Sequence, residues 1–65
     1  MSAKETITIQ IELTDNEAWE LAQFCKRISF DDARRLATSN DETYTMLQAI
    51  AYLRVELREK GYAPR

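Results

Sequence analysis

Apolar and polar residues alternate strictly at the start of this chain. Ile7, Ile9, Ile11 and Leu13 interleave with Thr6, Thr8, Gln10 and Glu12. A period of two built on β-branched residues predicts a half-buried strand over about 6–13, aliphatic on one face and polar on the other. From Thr14 the period changes. Thr14-Asp-Asn-Glu17 forms a capping box, and Ala18, Leu21, Ala22, Cys25 and Ile28 then share one helical stripe with Phe24 on its flank, predicting a helix over about 15–28. Lys26 and Arg27 close it, where cations favour the negative end of the helix dipole. Ser29 caps a short helix over about 30–37, with Asp31 and Asp32 in its first turn and Phe30, Ala33 and Leu36 or Ala37 turned inward. Ser39-Asn-Asp-Glu42 is a third box, opening a helix over about 40–60. Its stripe is Met46, Ile50, Leu53 and Leu57, widened by Leu47 and Ala51, with Gly61 as the stop and Pro64 beyond.

This pattern predicts one α+β domain over residues 1–65, ordered β-α-α-α. Its single strand has no second strand to pair with, and helix backbones bond only to themselves. The expectation is therefore an intertwined homodimer, with Ile7, Ile9, Ile11 and Leu13 of each copy in an intermolecular antiparallel β-ribbon. Size argues the same way. A domain of about 60 residues buries only about 60% of its unfolded surface and usually needs a disulfide, a metal or a second copy. One cysteine and no histidine remove the first two options, leaving neither an intrachain disulfide nor a zinc site.

Composition narrows the partners. Hydrophobic residues make up 45% of the chain and charged residues 31%, as in a folded domain. The net charge of −2 disfavours nucleic acid, although it is unevenly spread: residues 1–25 carry −4 and residues 26–35 carry +2. No apolar run approaches the roughly 20 residues that span a bilayer. The start Met1-Ser-Ala-Lys4 shows no secretory pattern, and the lone thiol suits a reducing compartment, so the expected location is the cytoplasm, away from membranes.

Candidate chemistry is sparse. A single glycine cannot build a phosphate loop, and no base is available beside a nucleophile, so the reading is non-enzymatic, with no cofactor and no metal. Cys25 lies on an apolar stripe and reads as a small core residue rather than a reactive thiol. Asp31–Asp32 and Asp41–Glu42 occupy first helical turns, where they complement the dipole. Trp19 and Tyr52, off the main stripes, with Arg34 and Arg35 in the most basic segment, are the candidate contacts for another protein.

Two resemblances bear on function. A strand followed by helices resembles the ribbon-helix-helix regulators and antitoxins. That likeness implies DNA contact through Thr6, Thr8 and Gln10, with Ser29 at the second helix start facing phosphate. Glu5 and Glu12 beside the strand, and Asp31 and Asp32 where phosphate would sit, depart from that pattern. Leu21-Ala-Gln-Phe-Cys-Lys-Arg-Ile-Ser-Phe30, Asp41-Glu-Thr-Tyr-Thr-Met46 and Gly61-Tyr-Ala-Pro-Arg65 resemble small uncharacterised proteobacterial proteins of plasmids and prophages. The functional expectation is a homodimeric module that regulates or inhibits a host protein. A DNA-binding regulator is the alternative.

Overall fold

Each predicted helix start depends on a side chain satisfying amides that the helix leaves open. A computed structural model describes residues 5–65 and places helices α1 at Asp15–Arg27, α2 at Phe30–Arg35 and α3 at Asn40–Glu59. The Met1–Lys4 start, including the basic neighbour of the predicted strand, lies outside the described residues. At α1 both arms of the box form: the Glu17 amide donates to Thr14 Oγ1 at 3.1 Å, and the Thr14 amide donates to Glu17 Oε1 at 2.8 Å. Ser29 and Asp32 repeat the exchange at α2, both bonds at 3.1 Å. The third start is different. Ser39 Oγ accepts from the Glu42 amide, but the Glu42 carboxylate reaches one residue further back, to the Thr38 amide at 2.9 Å and the Thr38 hydroxyl at 3.2 Å. Each such cap is worth about 1 kcal/mol.

Helix α3 ends in a Schellman motif. Gly61 takes φ +100°, its amide donates to the Arg58 carbonyl, and the Tyr62 amide donates to the Leu57 carbonyl, both at 2.9 Å. The turn folds Tyr62 back onto the core beside Leu57. From there its ring meets Trp19 edge-on, with centroids 5.1 Å apart, and its hydroxyl donates to Asp15 at 2.8 Å. The end of the chain is thereby tied to the start of α1.

Helix α3 is the common support. Helices α1 and α2 each pack on it, and no Cα of one comes within 8 Å of the other. Between α1 and α3 the core is Ala18, Ala22, Cys25 and Leu57, flanked by half-buried Leu21, Ile50 and Leu53. Ala33 is the buried residue of α2. Thr43 of α3 is fully buried, with its hydroxyl satisfied by the Ser39 carbonyl at 2.8 Å.

The predicted α+β class is overturned: the fold is all-α, with no strand among the described residues. A strand exists only through backbone pairing, and three helices offer no open backbone edge. Residues 5–14 therefore run as an irregular arm, and the β-ribbon of Ile7, Ile9, Ile11 and Leu13 is withdrawn with the strand. The alternation did not bring burial either: Ile7 is 82% exposed, Ile9 73% and Ile11 61%. Phe30, expected inside, is exposed, as is Phe24 on the flank of its stripe, and of the pair Leu36 or Ala37 it is Ala37 that turns inward. Helix α2 stops at Arg35, so Leu36 leaves the helical stripe and points out while Ala37 is half-buried.

Candidate protein interface

Sizes are inverted between the inside and the outside of this fold. The buried hydrophobics are three alanines, a cysteine and one leucine, while Phe24, Leu36, Tyr44, Tyr52 and the arm isoleucines face solvent. Helix packing explains the inside, because alanines let α1 approach α3 closely. Nothing in the fold covers the outside.

The backbones of α1 and α2 stay apart, and an open groove of about 500 Å³ lies between them. Phe24, Ile28 and Leu36 supply its apolar surface, and Arg27 and Arg35 supply charge beside Glu20 and Asp32. Arg35 is held by an ion pair with Asp32. The Asp32 carboxyl is kept below its ordinary value, first by the Ser29 amide, then by the Ser29 hydroxyl and Arg35. On α3, Tyr44 and Tyr52 bound a shallow depression, and Tyr44 also leans on Phe30 with ring centroids 5.3 Å apart. A third surface, where α3 meets the end of α1, is lined by Cys25 and Ile28 and by Leu47, Ile50, Ala51 and Val55, with Arg54 among them and Arg58 at one end.

The four predicted contact residues do not converge. Arg34 is turned inward as a staple, donating through Nε to Asn40 at 2.9 Å and through a terminal nitrogen to the Ala37 carbonyl at 3.0 Å. Trp19 belongs to the Tyr62 clasp. Arg35 alone lines the groove between α1 and α2, and Tyr52 stands apart on α3. Phe24 and Leu36, the apolar walls of that groove, are not among the predicted contact residues: the pattern puts Phe24 on the flank of its stripe and offers Leu36 or Ala37 as the inward residue. The signal for Leu36 was present in Arg34-Arg35, a basic pair that ends α2 one residue earlier.

Cys25 is buried, and desolvation pushes its thiol up against the opposing pull of Arg54, which keeps it protonated at neutral pH. Among the described residues no three His, Cys, Asp or Glu side chains gather as a metal site. No helix among them is long and apolar enough to cross a membrane. Thr6, Thr8 and Gln10 are exposed on the arm, without the paired-strand face that reading DNA through them requires.

A family of unknown function, DUF7706, matches residues 1–65, and the chain belongs to it. No curated protein and no solved structure matches the chain.

Proposed function

We propose that this member of a family of unknown function is a non-enzymatic protein-binding module, a regulator or inhibitor of another bacterial protein in a plasmid or prophage setting. The observation that carries the reading is the inversion of sizes: large apolar side chains line an open groove while alanines fill the core. Isolated surface hydrophobics need no explanation, but contiguous ones beside charge are the usual make-up of interfaces. Phe24 and Leu36 are the apolar contacts of this surface, and Arg35 supplies a charge at its edge. The acidic balance and the lack of a catalytic set support the same reading.

The test is affinity capture from a bacterial lysate with the wild-type chain and with Phe24→Ser/Leu36→Ser, tagged at either end. A partner recovered by the first and lost by the second, at unchanged helix content, supports the module. No partner with either tag, or equal recovery by both chains, refutes it. A gel shift at low salt that shows specific binding to DNA would refute it as well.

A further inference from the structure

The molecule is too open for its mass. A compact monomer of 7.6 kDa should expose about 4,300 Å², whereas this chain exposes 5744 Å². Its radius of gyration is 13.2 Å against about 10.7 Å for 65 residues. Its shape accounts for the difference, being a slab only 16 Å thick with an exposed arm. The surplus of roughly 1,400 Å² per chain exceeds the ~800 Å² that each partner of a standard interface buries, and it falls in the range of permanent dimers.

The arm and the Arg54/Arg58 flank of α3 match each other. Laid out in extended backbone, the odd-numbered residues would share a side, putting Ile11, Ile9, Ile7 and finally Glu5 on one face and Glu12 on the other. From Ile11 to Glu5 the arm covers about 20 Å at ~3.3 Å per residue. The flank of α3 runs from Leu47 past Ala51 and Val55 to Arg58, about 16 Å along the axis at 1.5 Å per residue. Both surfaces are mainly apolar and carry opposite charge: Glu5 at the end of the arm, and Arg54 within and Arg58 at the end of the α3 floor. No ion pair among the described residues uses Glu5, Arg54 or Arg58. The arm does not reach this flank of its own chain: Ile11 and Leu13 lie instead beside Leu53 and Leu57, on the other side of α3.

We infer that two copies of this chain exchange the ends of their arms, each keeping Ile11 beside its own Leu53 and Leu57 while laying Ile7 and Ile9 along the partner's Leu47–Val55 floor with Glu5 at the partner's Arg54 and Arg58. The contact is side chain on helix and needs no strand pairing. This surface meets the groove between α1 and α2 at Ile28, which lines both, while Phe24 and Leu36 of the groove lie outside it.

Light scattering across micromolar concentrations tests the exchange, with far-UV circular dichroism confirming helix content for each variant. The wild type should weigh twice 7.6 kDa. Ile7→Ser/Ile9→Ser alters only exposed side chains, so it should remain helical and become monomeric. Glu5→Lys, or Arg54→Glu/Arg58→Glu, should weaken dimerisation roughly tenfold, and combining all three changes in one chain should restore it. Glu12→Lys, on the opposite side of the arm, should leave it unchanged. A helical wild-type monomer at about 100 μM, a hundredfold above a micromolar Kd, overturns the inference. So does a dimer that survives Ile7→Ser/Ile9→Ser, or equal effects of Glu5→Lys and Glu12→Lys.

Discussion

Leu57 and Leu36 carry the same side chain at opposite ends of the burial scale, 8% against 77% exposed. Truncating each to alanine therefore separates core from surface without changing the chemistry. Leu57 is the one large side chain in the buried cluster, against Ala18, Ala22 and Cys25. Buried leucine-to-alanine changes cost about 2–5 kcal/mol, transfer and cavity together. The half-exposed Leu53 and Tyr62 beside it let the site relax, which puts Leu57→Ala at the low end, about 2–3 kcal/mol. Total stability for a domain of this length is about 3–10 kcal/mol, so the loss is a large share of it. Leu36 hides about a quarter of its surface, and full burial of a leucine is worth roughly 1.5–3 kcal/mol, so Leu36→Ala should cost only about 0.5 kcal/mol. Thermal melts followed at 222 nm should show Tm falling by about 10 °C or more for Leu57→Ala and by a few degrees for Leu36→Ala, at 4–8 °C per kcal/mol. Equal shifts, or a larger one for Leu36→Ala, would refute the packing of α1 on α3.

Three further outcomes follow from local geometry. Gly61→Ala should destabilise by about 1–2 kcal/mol, because an L side chain is strained at φ +100° although nothing obstructs its Cβ. Denaturant midpoints measure this, and no change would remove the Schellman stop. Asp32 has a depressed carboxyl, so its stabilising contribution is present above its unfolded pKa of about 4 and fades as pH falls through the folded value. Asp32→Asn should lose that part of the acid dependence in a pH series of melts, and an unaltered series argues against the Ser29–Asp32 box. Tyr62 is shifted the other way by its bond to Asp15, so its contribution holds below about pH 10 and is lost as pH rises through the higher folded value. The difference in phenolate absorbance between wild type and Tyr62→Phe should therefore show a midpoint above about pH 10, and one at or below 10 contradicts the clasp.

The helices were legible because their signals are local. Thr14 with Glu17, and Ser29 with Asp32, lie within hydrogen-bond reach by sequence spacing alone, and those bonds form. Gly61 marked its stop for the same reason. Glu42 was less legible, because Thr38, one residue before the cap, also offers it an amide and a hydroxyl. Burial was legible only in part. Periodicity names the inward face but not how close the helices come, and close approach through Ala18 and Ala22 leaves the larger Phe24 at the rim. The placement of Arg34 was not legible for a related reason. Its bonds to Asn40 and Ala37 depend on the turn between α2 and α3, which no pattern in the sequence describes.

The arm shows what alternation can and cannot mean. A period of two states that one set of side chains is apolar and the other polar, but ladder pairing is a separate requirement, set by the backbone edges available nearby. Here the available surfaces are helical, and a helix can bury isoleucines without contributing a single backbone bond. The two requirements therefore part company: the side chains still need cover while the backbone remains hydrated. Parity then has a consequence that a ribbon would not share. On a helical floor only Glu5 ends beside Arg54 and Arg58, whereas Glu12 faces water. In a ladder, by contrast, the whole polar face of Thr6, Thr8, Gln10 and Glu12 would be set cross-strand against its counterpart, and charge at Glu12 would matter through like-charge repulsion. Comparing Glu5→Lys with Glu12→Lys thus reports which surface holds the isoleucines as well as whether two copies meet.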